Sequence, residues 1–165
     1  MSNLADTFYG RKEYRVDPKG RIPLSTDYYS KLGLNDENST IIITRCPYRD
    51  ENCLEVFSER EWAEEQKLIK NMDEGPVKKF LLKKYVGSAE SVSLDSQNRI
   101  RIPKYMIDFA EIDKDVVFVG EITRLKIWAK ERLEQIENDS EVSDELIDEA
   151  MNKAKKLVAE NRGDE

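Results

Sequence analysis

The stretch Asp17-Pro18-Lys19-Gly20-Arg21 recurs later in the chain as Asp95-Ser96-Gln97-Asn98-Arg99. In both copies an aspartate precedes an arginine by four residues, and short stretches of alternating apolar residues flank the copy on both sides. Alternation with a period of two is typical of a half-buried strand. The sequence therefore predicts the same unit twice, a hairpin made of a strand, a tight turn and a returning strand.

The residues inside each copy suit a tight turn. Asp17 fits the first position of a type I turn, Pro18 the second and Gly20 the fourth. In the second copy Asn98 replaces the glycine, and asparagine tolerates a positive φ better than most residues. We therefore expect the same backbone conformation in both copies, with Asp17, Asp95, Gly20 and Asn98 as the structural residues of the motif.

Arginines begin both returning strands. Since successive side chains of a strand point to opposite faces, Arg21 lies on the face opposite Ile22, and Arg99 lies on the face opposite Ile100. Arg101 shares the face of Arg99. Together with two neighbours, these residues surround the turns with positive charge, and the complete set is Arg15, Lys19, Arg21, Arg99 and Arg101.

The composition argues against most enzyme classes. The chain has 165 residues and no histidine, which removes histidine-based nucleophiles and bases. No glycine-rich phosphate loop follows a strand, and no carboxylate pair stands out from the surface charge. We predict no enzyme activity, no cofactor, no metal site and no small-molecule substrate.

The two cysteines, Cys46 and Cys53, are too few for a disulfide framework and fit a reducing cytoplasm. A pair with this spacing can also clip a hairpin, or bind a metal with outside help. No apolar run is long enough to predict a membrane span.

The net charge of −7 is unevenly distributed. Residues 136–165 contain ten acids and four bases, a net charge of −6, whereas the first 35 residues carry a net charge of +2. Because salt screens remote charges beyond about 10 Å, an acidic tail does not prevent a basic patch elsewhere from binding nucleic acid. The overall acidity therefore excludes no DNA-binding function.

An internal repeat follows from the elements around the two turns. The apolar run at 41–43 has a counterpart at 116–119, and the strand at 54–57 has one at 125–128. Each copy is roughly 45 residues long, too short to bury a core by itself. We expect the two copies to intertwine into one pseudo-twofold barrel, with a helix between them at 76–86.

The helices between and after the repeats have apolar and basic faces whose partners the sequence does not identify. Helical spacing predicts that Trp62, Leu68 and Ile69 are buried in a helix capped by Ser58, and that the next helix packs through Val77, Phe80, Leu81 and Tyr85. The lysines on its other side are either a solvated face or a contact for DNA or a partner; they are Lys78, Lys79, Lys83 and Lys84. A last helix, capped by Ser143, has an apolar stripe that needs a partner, either its own barrel or a neighbouring subunit.

With both motifs in this frame, the sequence resembles the MraZ family of bacterial transcription regulators over residues 8–137. The resemblance rests on the two Asp-x-x-x-Arg motifs and on two further segments, 116–120 and 125–132. It implies an α+β fold of two tandem AbrB-like (SpoVT-AbrB) swapped-hairpin units that form a double-split barrel with short flanking helices. The expected divisions are 8–70 and 91–138 for the two units, 71–90 for the linker helix and 139–165 for the acidic C-terminal helix.

The resemblance also implies a function. We expect a homo-oligomeric, ring-forming DNA-binding protein of the cytoplasm and nucleoid that recognises short direct repeats in double-stranded DNA, in the promoter of the division and cell-wall gene cluster. Arg21 and Arg99 are the expected base-reading residues, because arginine can bond guanine bidentately in the major groove. Arg15, Lys19 and Arg101 are the expected supporters. The alternatives are that the Asp–Arg pairs only brace the turns, or that the protein is a ring-forming scaffold or antitoxin-like module that binds protein.

Overall fold

We describe residues 4–139 and 141–163 of a computed structural model. The chain divides into two compact units, the first ending at Leu133 and the second beginning at Glu134. The strands are β1 (Arg11–Arg15), β2 (Arg21–Pro23), β3 (Thr40–Arg45), β4 (Leu54–Phe57), β5 (Glu90–Ser93), β6 (Arg99–Arg101), β7 (Asp115–Gly120) and β8 (Leu125–Ala129). The helices are α1 (Thr26–Lys31), α2 (Glu59–Lys70), α3 (Pro76–Lys84), α4 (Lys104–Phe109), α5 (Lys130–Asn138) and α6 (Asp144–Gly163).

The strands form two antiparallel sheets, so the α+β class is confirmed. The larger sheet has the order β1-β7-β8-β4-β3-β5, and β2 pairs with β6 in a separate two-stranded ribbon. Within the described residues β1 and β5 are open edges, so the larger sheet does not close into a barrel.

The strands on either side of each turn do not pair with each other, so the prediction of two self-paired hairpins is wrong. β1 pairs with β7 of the second repeat, and β5 pairs with β3 of the first. Between β1 and β2, the Asp17 amide donates to the Arg21 carbonyl, after which the two strands enter different sheets. The intertwining of the two copies is therefore present, and it is achieved by exchange of every strand next to a turn.

The exchange of strands between the two repeats is symmetric about two pairs of residues, one in each sheet. Ile22 lies opposite Ile100 in the β2–β6 ribbon, and each follows the arginine of its own motif. In the larger sheet Glu55 lies opposite Lys126, and each is the second residue of its strand. Equivalent residues thus face each other at both positions, as they do on a twofold axis.

One hydrophobic core joins the two repeats. Both central isoleucines of the ribbon are fully buried in it, together with strand residues such as Ile41, Val116 and Phe118. A second, smaller cluster places Trp62, Ile69 and Tyr85 against β3 and β4. Burial of these apolar side chains is the main stabilising contribution to the first unit.

Serine residues cap the N-termini of three helices. The hydroxyl groups of Ser25, Ser58 and Ser143 accept hydrogen bonds from the amides three residues later, at the starts of α1, α2 and α6. Such caps satisfy amide groups that have no partner inside the helix. The predicted starts at Ser58 and Ser143 are therefore confirmed.

Two of the predicted apolar faces are only partly correct. Trp62, Ile69 and Tyr85 are buried, but Leu68 is 64% exposed and Val77 is 68% exposed. Phe80 is 46% exposed as well. Helical spacing alone did not distinguish the narrow stripe that faces the second cluster from the residues beside it, and α2 and α3 consequently present apolar side chains to solvent.

Candidate nucleic-acid interface

The first turn is organised by the carboxylate of Asp17. Its Oδ1 accepts hydrogen bonds from the amides of Lys19, at 2.9 Å, and Arg21, at 2.8 Å. Its Oδ2 accepts from Nε of Arg21 at 2.6 Å. The Gly20 amide donates to the Asp17 carbonyl at 2.9 Å, and Gly20 has a φ of 77°. The carboxylate therefore fixes both the backbone of the turn and the guanidinium of the arginine that ends it.

The second turn repeats the same bonds. Asp95 Oδ1 accepts from the amides of Gln97, at 2.9 Å, and Arg99, at 3.0 Å, and Oδ2 accepts from Nε of Arg99 at 2.7 Å. Asn98, at a φ of 56°, takes the place of the glycine. The predicted equivalence of the two turns is confirmed at the level of individual hydrogen bonds.

The hydrogen bonds also set the charge of the two aspartates. The amide of Arg21 is the main cause of a lowered pKa of Asp17; slight burial opposes the shift, and the Arg21 side chain adds to it. The amide of Arg99 acts in the same way and lowers the pKa of Asp95. Both carboxylates are ionised at neutral pH, so each forms a charge-assisted bond with its arginine.

One end of each guanidinium is held and the other is not. Nε of Arg21 and Nε of Arg99 are bonded to the aspartates, whereas no hydrogen bond among residues 4–139 and 141–163 engages their Nη groups. The two side chains are only 28% and 26% exposed. Each arginine is thus oriented by its aspartate and still has donors for a ligand.

The β2–β6 ribbon collects three arginines on one face. Arg21 lies opposite Arg101, and Arg99 lies opposite Pro23, while the isoleucines between them fill the core. Like charges in directly opposite positions destabilise a strand pair. Asp17 offsets the charge of Arg21, but no acid within the described chain lies within ion-pair distance of Arg101. The face is therefore suited to an anionic ligand.

The structure places the two other predicted residues beside the first turn. Lys19 and Arg101 line one groove next to Pro18 and Gly20. Arg15, at the end of β1, lines a second groove on the other side of the same residues; its side chain is 76% exposed and lies 3.9 Å from Asp115. All five predicted basic residues thus lie on the ribbon face or in a groove beside the first turn.

Two lysines were missed by the sequence reasoning. Lys104, the first residue of α4, lines the groove of Lys19 and Arg101, and Lys114 lines the groove of Arg15. Lys104 pairs weakly with Asp108 at 3.4 Å and has an exposed side chain. The signal for Lys104 was its place in the first turn of the helix after the second motif; for Lys114 no local signal exists, because the fold brings it to the groove.

The basic face of α3 is partly engaged within the chain. Lys78 donates to the carbonyl of Lys70 and to the carboxylate of Glu74, and only 12% of its side chain is exposed. Lys79, Lys83 and Lys84 remain exposed. The structure therefore leaves three of these four lysines available to an outside partner.

No metal-binding cluster of three or more Cys, Asp or Glu side chains is present in the described part of the chain. Cys46 and Cys53 are free thiols, buried side by side across the β3–β4 connection, where the Cys46 amide donates to the Cys53 carbonyl. A hydrogen bond with Cys46, together with burial, raises the pKa of the Cys53 thiol. Across residues 4–139 and 141–163, no helix is long and apolar enough to span a membrane.

Comparison with known proteins places this geometry in a family. Residues 86–155 match the family model described as "MraZ protein, putative antitoxin-like". A protein named transcriptional regulator MraZ from Acetivibrio thermocellus is 32% identical over 146 residues, which cover 87% of this chain and 96% of the relative. This chain belongs to the MraZ family.

Relatives in other bacteria show the same extent of similarity. The transcriptional regulator MraZ of Thermoanaerobacter sp. is 32% identical over 85% of this chain and 93% of its own length. That of Clostridium tetani is 31% identical, over 87% and 96%. MraZ is a family of transcriptional regulators and not of enzymes, so the predicted resemblance and the predicted absence of an enzyme activity are confirmed.

Proposed function

We propose that this protein is a sequence-specific DNA-binding regulator of transcription, and that Arg21 and Arg99 contact base edges in the major groove. The observation that carries the proposal is the bond from each Nε to an aspartate, which orients the guanidinium while its Nη groups have no partner in the described chain. A two-stranded ribbon fits the major groove, where a fixed guanidinium can donate to O6 and N7 of guanine.

Arg15, Lys19 and Arg101 contact the phosphates in this proposal. Lys19 and Arg101 share a groove with the base-reading face, and Arg101 faces Arg21 across the ribbon. A phosphate beside Arg101 relieves the repulsion between the two arginines. Contacts of this kind set the register of the protein on the duplex and supply affinity that depends on salt.

The resemblance narrows the target and the place of action. We propose that the DNA is the promoter of the division and cell-wall gene cluster, that the sites are short direct repeats, and that the protein acts in the cytoplasm at the nucleoid. The relatives are named as transcriptional regulators, and this supports the proposal at the level of the process.

Several copies of the chain act together in the proposal, as a ring. One chain has only two motifs and hence few base contacts, but linked copies raise the effective concentration for each further contact. The exposed apolar side chains of Leu68, Val77 and Phe80, on α2 and α3, supply a surface on which another copy can pack.

We further propose that the two sheets together are the double-split barrel of the AbrB-like fold. Its proposed parts are the units 8–70 and 91–138, the linker 71–90 and the C-terminal segment 139–165. The matched exchange of strands about Ile22, Ile100, Glu55 and Lys126 supports this division into two intertwined halves.

The test is a titration of promoter DNA and scrambled DNA with the wild-type protein and the double variant Arg21→Ala/Arg99→Ala. Each lost base contact should cost about 1–3 kcal/mol of binding to the promoter and relax the preference at one position. Lys83→Ala/Lys84→Ala, which removes two charges from α3, is the matched control and should keep the preference.

Assembly has to be measured in the same samples by light scattering. If the arginine double variant stays assembled and still prefers the promoter as strongly as the wild type, the proposed reading face is wrong, and the exposed lysines of α3 are the next candidate. If the wild type binds neither DNA at low salt, the protein-binding module described above replaces the regulator.

A further inference from the structure

Helix α6 has an apolar stripe that is exposed along its described length. All of its described side chains are exposed, including Leu146, Ile147, Met151, Leu157 and Val158 at 48–57%. With Ala150 and Ala154 these residues recur every three or four positions, which places them along one side of the helix. Most helices of this length are stabilised by packing of such a side, so α6 needs a partner.

The charges of α6 are separated along its length. Its first two turns contain the acids Asp144, Glu145, Asp148 and Glu149. The remainder contains four bases, Lys153, Lys155, Lys156 and Arg162, and a single acid, Glu160. The helix therefore has an acidic half and a basic half, and its apolar stripe runs through both.

This charge pattern selects the partner and its direction. Successive residues of an α-helix are rotated by about 100°, and this rotation places four charged residues on one border of the stripe: Asp144, Asp148, Lys155 and Arg162. The two acids lie near the start of the helix, and the two bases lie nearer its end. In an antiparallel pair of identical helices this border faces itself, so the acids of each helix lie beside the bases of the other. In a parallel pair the acidic halves lie together and repel.

We propose that α6 binds α6 of a second copy of this chain, antiparallel and through the apolar stripe. Each helix is about 30 Å long, so the pair can bury the stripe over its full length. The contact joins copies of the chain through their C-terminal segments.

The test is disulfide cross-linking of the full-length protein. Two variants, Asp144→Cys and Arg162→Cys, are oxidised with oxidised glutathione, separately and as an equal mixture. In an antiparallel pair position 144 of one chain lies near position 162 of the other, so the mixture should form intermolecular disulfides several-fold faster than either variant alone. The wild type serves as the blank, because its own thiols are buried.

A second substitution shows whether the stripe is the cause. Leu157→Glu, added to both cysteine variants, should abolish the advantage of the mixture. Asn152→Glu adds the same charge on the opposite side of the helix and should preserve it. Faster cross-linking of Asp144→Cys alone would overturn the antiparallel arrangement, and equal slow rates in all samples would overturn the pairing of α6 with itself.

Discussion

Glu55 and Lys126 face each other in register at the centre of the six-stranded sheet, and they occupy equivalent positions of the two repeats. Both are almost completely buried. A twofold-symmetric pair of chains would place identical residues there, so two carboxylates or two ammonium groups would meet inside the core. Fusion of the two halves in one chain permits opposite charges at this position.

The charges at this position are embedded in a network. Burial raises the pKa of Glu55, against the opposing effects of a hydrogen bond from the Tyr85 hydroxyl and of Arg124 and Lys126. Nζ of Lys126 lies 3.3 Å from carboxylate oxygens of Glu51 and Glu121 and 4.0 Å from Glu55. Each group therefore depends on partners of opposite charge to remain ionised in the core.

Lys126→Met should destabilise the protein by about 3–5 kcal/mol at pH 7, because it removes the buried ammonium group that pairs with Glu51 and Glu121 and leaves Glu55 with one cation fewer beside Arg124. The pKa of Glu55 in the folded state then rises further above its unfolded value, so the variant loses stability as the pH rises through that range. Urea unfolding at pH 5 and pH 7 measures the effect. A loss that is equal at both pH values, or absent, would show that the lysine is not needed as a counter-charge.

The turn glycine should be more sensitive to substitution than its counterpart. Gly20→Ala should destabilise by about 1–2 kcal/mol, because an L-residue is strained at a positive φ. The added Cβ would also lie 3.0 Å from Cδ1 of Ile107 and 3.2 Å from the Ile102 carbonyl oxygen. Asn98→Gly, at the equivalent position, is the control and should be tolerated. Equal effects in thermal unfolding would contradict this explanation.

The two aspartates should make the protein sensitive to acid. The pKa values of Asp17 and Asp95 are lower in the folded protein than their ordinary value of 3.8. Their contribution is therefore fully present at neutral pH and is lost as the pH falls through 3.8 and then through the folded values. In urea unfolding between pH 3 and 7, the difference between wild type and Asp17→Asn/Asp95→Asn should shrink toward low pH. A constant difference would mean that their ionisation is irrelevant.

Lys19 should differ from the arginines in its effect on DNA binding. Lys19→Ala should weaken binding to promoter and scrambled DNA alike and lower the slope of log affinity against log salt by about one. A titration across a salt series measures both quantities, and Lys79→Ala on α3 is the matched control. Loss of preference for the promoter with an unchanged slope would assign Lys19 to base contact instead.

Truncation after Glu137 should leave specific DNA binding intact, or slightly tighter at low salt. The removed segment is acidic and contains neither of the two motifs. Affinity is measured on the promoter, with folding checked by circular dichroism and assembly by light scattering. A folded and assembled truncated protein that fails to bind would show that the tail takes part in recognition.

The turns were accessible from the sequence because their information is local. A tight turn requires a residue that accepts hydrogen bonds from nearby amides, such as Asp17, and a residue that tolerates a positive φ, such as Gly20 or Asn98. The serine caps were likewise identified from their position directly before each helix. The pairing of the strands was less accessible. Alternation in β1 shows a half-buried strand, but its neighbour β7 lies about a hundred residues further on. No local pattern distinguishes this neighbour from the nearer β2.

In the candidate site, too, local features were predictable from the sequence, whereas features that depend on strand pairing or side-chain geometry were not. The motif arginines were identified from their position in each repeat, and the register of β2 and β6 then brought Arg21 opposite Arg101. The availability of the Nη groups follows from the way in which Nε is bonded, and this required side-chain geometry. Leu68 and Phe80 were misjudged because helical spacing does not give the width of the face that a helix buries.

The exchange of strands also has a consequence for synthesis of the protein. A ribosome that has completed the first repeat has produced neither the partner of β1 nor the partner of β2, since these are β7 and β6. The partner of β2 is complete only when translation has passed Arg101, and the partner of β1 only when it has passed Gly120. The native sheets can therefore form only near the end of translation, and until then the nascent first repeat exposes strand edges to other nascent chains on the same messenger RNA.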